Sequence, residues 1–111
     1  MIIATRVLKL RSSGKEIEIP IRLFSPQRHD DHWSCRYEID WPEGREIRKA
    51  GGADSVQAIF VALQMIGADI YTSTYHKSGS LMLEGPGRGY GFPVPSTLRD
   101  LLIGDDLTSG I

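Results

Sequence analysis

Residues 51–66, "GGADSVQAIFVALQMI", constrain the fold most, because they specify a helix that has almost no polar side. Asp54 is a preferred N-cap residue, and Gln57 three positions later completes an Asp-led capping box. One continuous helical face is apolar at six positions: Val56, Ile59, Phe60, Leu63, Ile66 and Ile70. The opposite side is polar at only two of four positions: Gln57, Val61, Gln64 and Ala68. Such a helix needs cover from more than one direction, by a sheet and by further chain or a second subunit.

Four segments before the helix have strand character. Residues 2–11 are rich in β-branched side chains, and residues 15–24 place Ile or Leu at every second position from Ile17 onward. Residues 33–41, "WSCRYEIDW", put five bulky or apolar side chains on one face: Trp33, Cys35, Tyr37, Ile39 and Trp41. After a turn at "PEG", residues 45–50 can return as a fourth, weaker strand, which the next two glycines, Gly51 and Gly52, are expected to break.

Pro20 complicates the order of these strands. It lies on the outward face of the second strand and cannot donate to a ladder, which favours a sheet edge, a bulge or a change of pairing partner there. A simple meander would instead put the second strand between the first and third. The two interpretations conflict, and we give the proline more weight.

Shorter elements are expected after the helix. Gly67 within the helix indicates close packing or a bend, and the helix should end between Thr72 and Lys77, with Gly79 as a left-handed stop. A short strand, "SLMLE", precedes a glycine-rich loop, and a last short helix over residues 97–102 would be capped by Ser96.

The pattern predicts an α+β fold: an antiparallel sheet of four to six strands, one main helix across one face, and a short C-terminal helix. A chain of 111 residues fits a single domain, which we assign to residues 1–104, with residues 105–111 as a flexible tail. The net charge of −1 provides no basic surface for nucleic acid or an anionic membrane.

Cys35 is the sole cysteine, which excludes an internal disulfide and agrees with a reducing compartment. Arg6 and Lys9 interrupt the N-terminal apolar run, so it is no signal peptide. The longest nearly apolar stretch, residues 56–66, is far shorter than the roughly 20 residues that cross a bilayer. We therefore expect a cytoplasmic protein.

The loop "EGPGRGYGF" is the first candidate for a binding site. Glycine at every second position, from residue 85 to residue 91, allows close approach of a ligand or of another chain. The alternative is a tight loop in which Pro86 and Gly87 fill the centre of a type II turn, which is the commoner use of such a pair. Arg88 and Tyr90 are the ligand-binding candidates here.

The segment "RHDDHWSC" is the second candidate, because its side chains are of metal-ligand types. A polar turn before a strand is the simpler interpretation. His32 and Cys35 are three residues apart, so in a strand they face opposite sides and do not converge. We keep Asp31 and His32 as ligand-binding candidates, and we predict no metal and no cofactor. No nucleophile, base and orienting group assemble, so no catalytic residue is assigned.

Three short motifs follow one another along the chain: Trp33-Ser34-Cys35, Asp54-Ser55-Val56-Gln57-Ala58 and Gly91-Phe92-Pro93. In this order they resemble small bacterial proteins that are grouped only as a domain of unknown function. The likeness spans about residues 3–93 and implies an α+β fold in a bacterial cytosolic setting. It implies no activity and provides no catalytic residue.

Two functions remain open. The first is a non-enzymatic interaction module that forms a homodimer or binds a protein partner, since Val61, Met65 and Ala68 need cover. Residues 81–83 and 98–103 could supply that cover within the chain instead. The alternative is a small-ligand-binding protein or enzyme with its site at loop 85–91, using Arg88, Tyr90, Asp31 or His32.

Overall fold

Six strands form one antiparallel sheet in the computed structural model, which describes residues 1–108 of the chain. The strands and main helices are β1 (Ile2–Ser12), β2 (Lys15–Phe24), β3 (Gln27–Arg28), β4 (Trp33–Trp41), β5 (Gly44–Gly52), α1 (Ser55–Tyr71), α2 (Thr74–Lys77), β6 (Leu81–Met82) and α3 (Asp105–Thr108). A 3-10 helix covers Ser96–Leu101. The predicted fold class, an antiparallel α+β sheet with one main helix and a short C-terminal helix, is confirmed.

The sheet is a meander with one added strand. β1, β2, β4 and β5 follow each other as antiparallel neighbours, and β6 pairs with the other edge of β1. Leu23 lies opposite Tyr37 and Gln27 opposite Ser34, so β3 continues the line of β2 along the same side of β4. The two outer strands are therefore β5 on one side and β1, with the short β6, on the other.

Pro20 fits this meander in a way that the sequence interpretation did not foresee. β2 lies between β1 and β4, so giving the proline more weight than the meander was wrong. However, β4 pairs only with residues 21–23 of β2, and Pro20 lies opposite Val7 of β1 just beyond that pairing. The proline thus stands where β2 loses its second neighbour, which is the position that tolerates a missing N–H.

The start of α1 follows the predicted capping box, but the strand before it is longer than expected. The Gln57 N–H donates to Asp54 Oδ1 at 2.8 Å, and the Ala53 N–H donates to Gln57 Oε1 at 2.6 Å. The glycines expected to end the fourth strand belong to it, since Gly52 pairs with Trp33. A Cβ at Gly52 would lie 2.4 Å from the Ala58 N, so glycine lets the helix start close against the strand.

The buried face of α1 differs from the predicted one. Its buried residues are Ala58, Ala62, Ile66, Gly67, Ile70 and Tyr71. Val56 and Phe60, which were expected in the core, are 74% and 53% exposed. Small residues decide the orientation, because they let the helix backbone approach its neighbours: a Cβ at Gly67 would lie 1.9 Å from the Pro93 carbonyl oxygen. The close packing predicted at Gly67 is confirmed.

The opposite side of α1 is partly covered. Val61 and Met65 are half-buried and pack against the core, and Ala68 is half-buried as well. Cover for this side therefore comes in part from within the chain. The exposed apolar surface of the helix lies at its N-terminal half, around Val56 and Phe60.

Two coverings share the inner face of the sheet. α1 packs mainly on β4 and β5. The β1–β2 half is covered by an irregular segment, residues 90–94, from which Phe92 and Val94 join the core. The inner face buries side chains of alternating position: Leu8, Leu10, Ile19, Ile21, Leu23, Cys35, Tyr37 and Ile39. The helix is therefore off-centre over the sheet.

The outer face of the sheet is charged. Glu38 is only 3% exposed although it points outward, because three arginines surround its carboxylate: Arg22, Arg36 and Arg45. Asp40 accepts from Arg22 Nη2 and from Arg45 Nε, each at 2.8 Å. These hydrogen bonds lower the pKa of Asp40 to about 2.

The C-terminal part of the domain departs from the predicted boundary. Residues 105–108 were assigned to a flexible tail, but they form α3, and Asp106 is 3% exposed. The tail prediction failed here because a buried carboxylate anchor is not visible in a polar pattern; residues 109–111 lie outside the described residues. Ser96 does not cap the 3-10 helix with its side chain, since Pro95 occupies the N-cap position.

Within residues 1–108, no helix is long and apolar enough to cross a membrane.

Candidate interaction edge and polar cleft

The glycine-rich loop closes a turn. The Arg88 N–H donates to the Gly85 carbonyl at 3.4 Å, and Gly87 has a φ of +74°, as the third residue of a type II turn requires. Arg88 is exposed and forms ion pairs with Glu84 at 3.6 Å and with Asp105 at 2.9 Å. Arg88 therefore lies on the surface of the loop and lines none of the main cavities found in residues 1–108.

The same loop binds a buried carboxylate. Asp106 accepts from the N–H groups of Tyr90 at 2.9 Å and Gly91 at 2.8 Å, and from the Tyr71 hydroxyl. Gly89 has a φ of +91°, and a Cβ there would lie 2.6 Å from Asp106 Cγ. The glycines thus make room for a side chain of the same chain rather than for a ligand.

Tyr90, the second candidate in this loop, is a core residue with 2% exposure. Its hydroxyl is hydrogen-bonded to His76 Nδ1 at 2.5 Å, and its ring meets the Tyr71 ring edge-on at 5.2 Å. Burial raises the pKa of Tyr90 to about 12 and lowers that of His76, so both groups are neutral at pH 7. This arrangement positions the loop, and it leaves the Tyr90 ring buried and His76 half-buried.

Asp31 and His32 lie together in the turn before β4. The His32 Nδ1 is 2.7 Å from Asp31 Oδ1, and the His32 ring stacks on His29 at 4.6 Å. The hydrogen bond from His32 lowers the pKa of Asp31. Across the described chain, no group of three or more His, Cys, Asp or Glu side chains is placed to hold a metal ion.

The structure does not bring the two candidate pairs together. Asp31 and His32 lie near the N-terminal end of α1, since the following residue, Trp33, pairs with Gly52. Tyr90 contacts Tyr71 at the other end of the helix. α1 has 17 residues and is therefore about 25 Å long, so no common site forms from all four side chains.

A polar cluster that the sequence analysis missed lies beneath the C-terminal half of α1. Glu46 and Arg48 of β5 stand opposite Ile39 and Tyr37, so both point to the inner face. Asp69 of α1 accepts from Arg48 Nη1 at 2.8 Å and from the Tyr37 hydroxyl. β5 thus directs a carboxyl group, Glu46, and a guanidinium group, Arg48, toward the helix, where apolar side chains are usual.

Glu46 is the most perturbed acid of this cluster. Burial and a hydrogen bond shared with Asp69 raise the pKa of Glu46 to about 7, although the Trp41 indole N–H donates to its Oε1 at 2.8 Å. The group therefore holds a proton close to neutral pH and can exchange it. Such a carboxyl pair is chemically suited to bind a hydrogen-bonding ligand or to transfer a proton.

These acids line an open cleft of about 560 Å³ between the β4–β5 turn and the end of α1. Trp41 and Tyr75 stack on one another within it at 5.4 Å, and the Tyr75 hydroxyl donates to Glu43 at 2.6 Å. One signal could have revealed the cluster. The two-residue turn Pro42–Glu43 pairs Trp41 with Gly44, and counting onward puts Glu46 and Arg48 on the inner face.

The second candidate site is the outer edge of β1. The Arg11 N–H donates to the Ser80 carbonyl at 2.9 Å, so the odd-numbered residues of β1 direct their backbone groups to the β6 side. β6 pairs only with Lys9 and Leu10. Within residues 1–108, the backbone N–H and C=O groups of Thr5 and Val7 on this side therefore meet no backbone partner.

The exposed side chains of this edge are mostly apolar. Ile2 and Ile3 are each 47% exposed and Val7 is 37% exposed. The opposite edge of the sheet, β5, exposes three cations: Arg45, Arg48 and Lys49. The two edges of one sheet thus differ in charge.

An apolar hollow of about 240 Å³ adjoins the β1 edge, between β1, β2 and the segment 90–94. Its lining is apolar apart from Thr5 and Arg6: Ala4, Ile21, Leu23, Leu63, Ile66, Gly91, Phe92 and Pro93. Arg6 Nη1 donates to the carbonyls of Tyr90 at 3.1 Å and Gly91 at 2.9 Å. A second groove of about 460 Å³, on the side of Phe60 and Leu107, shares the lining residues Leu63 and Pro93.

A model of the domain of unknown function DUF6968 matches residues 4–94, which is most of the chain. The chain belongs to this family. No curated protein matches the chain, and no solved structure matches it. The DUF6968 match includes the free part of the β1 edge from Ala4, the apolar hollow and the cluster around Glu46. Asp106, which holds the glycine-rich loop, lies beyond the matched residues.

Proposed function

We propose that this DUF6968 domain is a non-enzymatic protein-interaction module that accepts an extended strand of a protein along the open edge of β1. The backbone groups that Thr5 and Val7 direct away from the sheet are the observation that carries the proposal. An added strand satisfies such groups by main-chain hydrogen bonds, and an adjoining pocket selects its side chains. The apolar hollow beside Ala4 and Arg6 is placed to serve as that pocket.

The energies of such a contact are modest individually and sufficient together. Each main-chain hydrogen bond contributes about 1 kcal/mol net, and one buried Val or Leu side chain contributes about 2 kcal/mol. A strand that makes four bonds and fills the hollow with one side chain would gain about 6 kcal/mol before its ordering entropy. We therefore expect binding in the micromolar to millimolar range.

We further propose a cytoplasmic location. Cys35 is the only cysteine in the sequence, and its thiol is fully buried and donates to the Phe24 carbonyl at 3.3 Å. Burial raises its pKa, so the thiol is protonated and poorly reactive. A chain with one inert thiol and no disulfide fits a reducing compartment.

The test uses a labelled peptide of residues 1–9 of this chain as the added strand, with a scrambled peptide as control. We expect NMR shifts on titration at Thr5, Val7 and the residues lining the hollow. Val7→Pro should abolish them, because it removes a donor from the open edge and leaves the β1–β2 hydrogen bonds intact. Absence of these shifts at about 1 mM peptide would refute the proposed docking mode.

The polar cleft favours a second function, the binding of a small hydrogen-bonding molecule. Glu46, whose pKa is raised to about 7 by burial and by a hydrogen bond with Asp69, lines a cleft of about 560 Å³ whose wall carries the Trp41–Tyr75 stack. This moves the small-ligand alternative away from loop 85–91, where Arg88 and Tyr90 are engaged by the chain itself. A fragment screen by NMR should yield hits that shift Trp41 and Tyr75 and weaken in Glu46→Ala. A screen without such hits removes this function.

A further inference from the structure

We infer that the strand that occupies the β1 edge is β1 of a second copy of this chain, paired antiparallel about a two-fold axis at Thr5. This inference rests on the proposed strand-docking function and names its partner. A two-fold contact requires that the edge be complementary to itself. The sequence of β1, read in both directions from Thr5, meets that requirement.

Only a few two-fold registers are possible. Because Thr5 and Val7 direct their backbone groups outward, a regular antiparallel pair of free edges centres on Thr5, Arg6 or Val7. Centring on Arg6 places two guanidinium groups directly opposite each other, which is destabilising. Centring on Val7 brings the second strand to Lys9, whose outward backbone groups already pair with Met82 of β6.

The register centred on Thr5 avoids both conflicts. Thr5 faces Thr5 of the second copy, a cross-strand pair that is favourable in antiparallel sheets. Val7 faces Ile3 of the second copy, and Arg6 faces Ala4, so exposed apolar side chains meet and the cations are separated. Ala4 also lines the hollow, and its small side chain leaves room for the neighbouring arginine.

The structure also limits the length of this interface. The register of β1 against β2 shifts between Ile2 and Ala4, which places a bulge at Ile3. β6 occupies the edge from Lys9 onward. Residues 4–8 of each copy therefore form the regular free edge. In the register centred on Thr5 these edges overlap over residues 4–6, and Val7 meets the bulge residue Ile3. We expect a dimer that dissociates at micromolar concentration, as short interfaces do.

Sedimentation velocity from low micromolar to several hundred micromolar tests for the dimer, and engineered cysteines test its register. In the proposed register the two Thr5 Cα atoms are about 5.5 Å apart, within disulfide range. Thr5→Cys should therefore form a covalent dimer on mild oxidation. The Val7 positions are offset by about 13 Å along the strands, so Val7→Cys is the matched control that should remain unlinked. The native Cys35 is buried and provides no competing thiol.

The outcomes separate the two levels of the proposal. A dimer that Val7→Cys links and Thr5→Cys does not link overturns the register. A strict monomer that still binds the peptide of residues 1–9 overturns the second copy as partner and leaves the strand-docking function standing. A strict monomer that binds no peptide overturns both.

Discussion

The two outer strands of the sheet differ in how well they are protected against pairing. β5 exposes Arg45, Arg48 and Lys49 along its length, so a second β5 edge would bring like charges together. β1 has one cation on its free stretch, Arg6, and that side chain is bound to the carbonyls of residues 90 and 91. Natural sheets usually block both edges. Here a single edge is left available, which is the pattern expected when pairing is part of the function.

The two halves of the sheet are also covered differently. α1 lies over β4 and β5 as a regular helix with a polar cluster beneath it, whereas an irregular segment covers β1 and β2. That segment is fixed at one end by Asp106 and touches α1 at Gly67. The β1 half therefore depends on a few specific contacts, while the β5 half depends on an extended helix–sheet interface.

Removing the Asp106 side chain should have the largest effect on stability, because it detaches the segment 90–94 that covers β1 and β2. Asp106→Ala leaves the Tyr71 hydroxyl and two loop N–H groups without their acceptor, and we expect a loss of about 3 kcal/mol in the free energy of unfolding by urea. Asp105→Ala is the matched control, since its exposed ion pair with Arg88 should contribute under about 0.5 kcal/mol. Equal losses in both variants would show that the Asp106 contacts do not fasten the loop.

Adding a side chain where α1 touches the segment 90–94, at Gly67, should have the next largest effect on stability. Gly67→Ala improves helix propensity, but its Cβ would lie 1.9 Å from the Pro93 carbonyl oxygen. We expect a net destabilisation of about 2 kcal/mol by urea unfolding, together with shifted NMR signals around the hollow. Gln64→Ala in the preceding turn should stay within about 0.5 kcal/mol of the wild type. A stabilised Gly67→Ala would contradict the close approach.

Charging each edge in turn tests the difference between them directly. Val7→Lys gives β1 the character of β5, and it should weaken self-association by at least about tenfold in sedimentation velocity. Ile47→Lys is the matched substitution on β5, where the isoleucine is 55% exposed, and it should leave association unchanged. If Ile47→Lys is the variant that dissociates the dimer, the interacting edge is β5.

The polar cluster makes the β5 half sensitive to pH. The pKa of Glu46 is raised to about 7 in the folded protein from 4.5, so folding favours its protonated form. The resulting stability is present below about pH 4.5 and is lost as the pH rises through about 7. Glu46→Gln should therefore flatten the fall in urea midpoint between about pH 5 and pH 8. Glu43→Gln, whose parent acid has a lowered pKa, should leave that fall unchanged.

Arg88→Ala should have the smallest effect. Both ion pairs of Arg88 are solvent-exposed, so its removal should change the free energy of unfolding by under about 0.5 kcal/mol and leave peptide binding intact. Both quantities can be measured on one sample by urea titration and NMR. A tenfold loss of peptide affinity would bring the glycine-rich loop back into the binding site.

Elements marked by a fixed hydrophobic period or by a specific capping pattern were predictable from the sequence. Residues 15–24 and 33–41 alternate as strands and form β2 and β4 with those bounds, and the Asp54–Gln57 box starts α1. The rotation of α1 was not predictable from hydrophobicity, because Gly67 and the two alanines at its buried face matter through close approach. How closely a helix approaches its neighbours depends on the three-dimensional packing, and it is not reflected in the hydrophobic period of the sequence.

The candidate sites show the same limit. Glycine at alternate positions correctly indicated a close approach, but the approaching group is Asp106, a residue that the sequence gives no reason to pair with that loop. Glu46 and Arg48 escaped notice because their inward direction depends on the register set by the β4–β5 turn. The open β1 edge was not predictable from the sequence either. It depends on where β6, a two-residue strand far along the chain, stops pairing with β1.

The inward direction of Glu46 and Arg48 has a consequence for how this hairpin forms. A shift of β5 by one residue would turn every side chain of the strand to the other face. Glu46 and Arg48 would reach water, but Arg45 and Lys49 would turn toward the core together with Ile47. Neither alignment gives β5 a purely apolar inner face, so the tight turn and the bond between Arg48 and Asp69 of α1 must select the native one. Until α1 docks, the nascent β4–β5 hairpin lacks the Asp69 partner of Arg48, and its alignment depends on the turn.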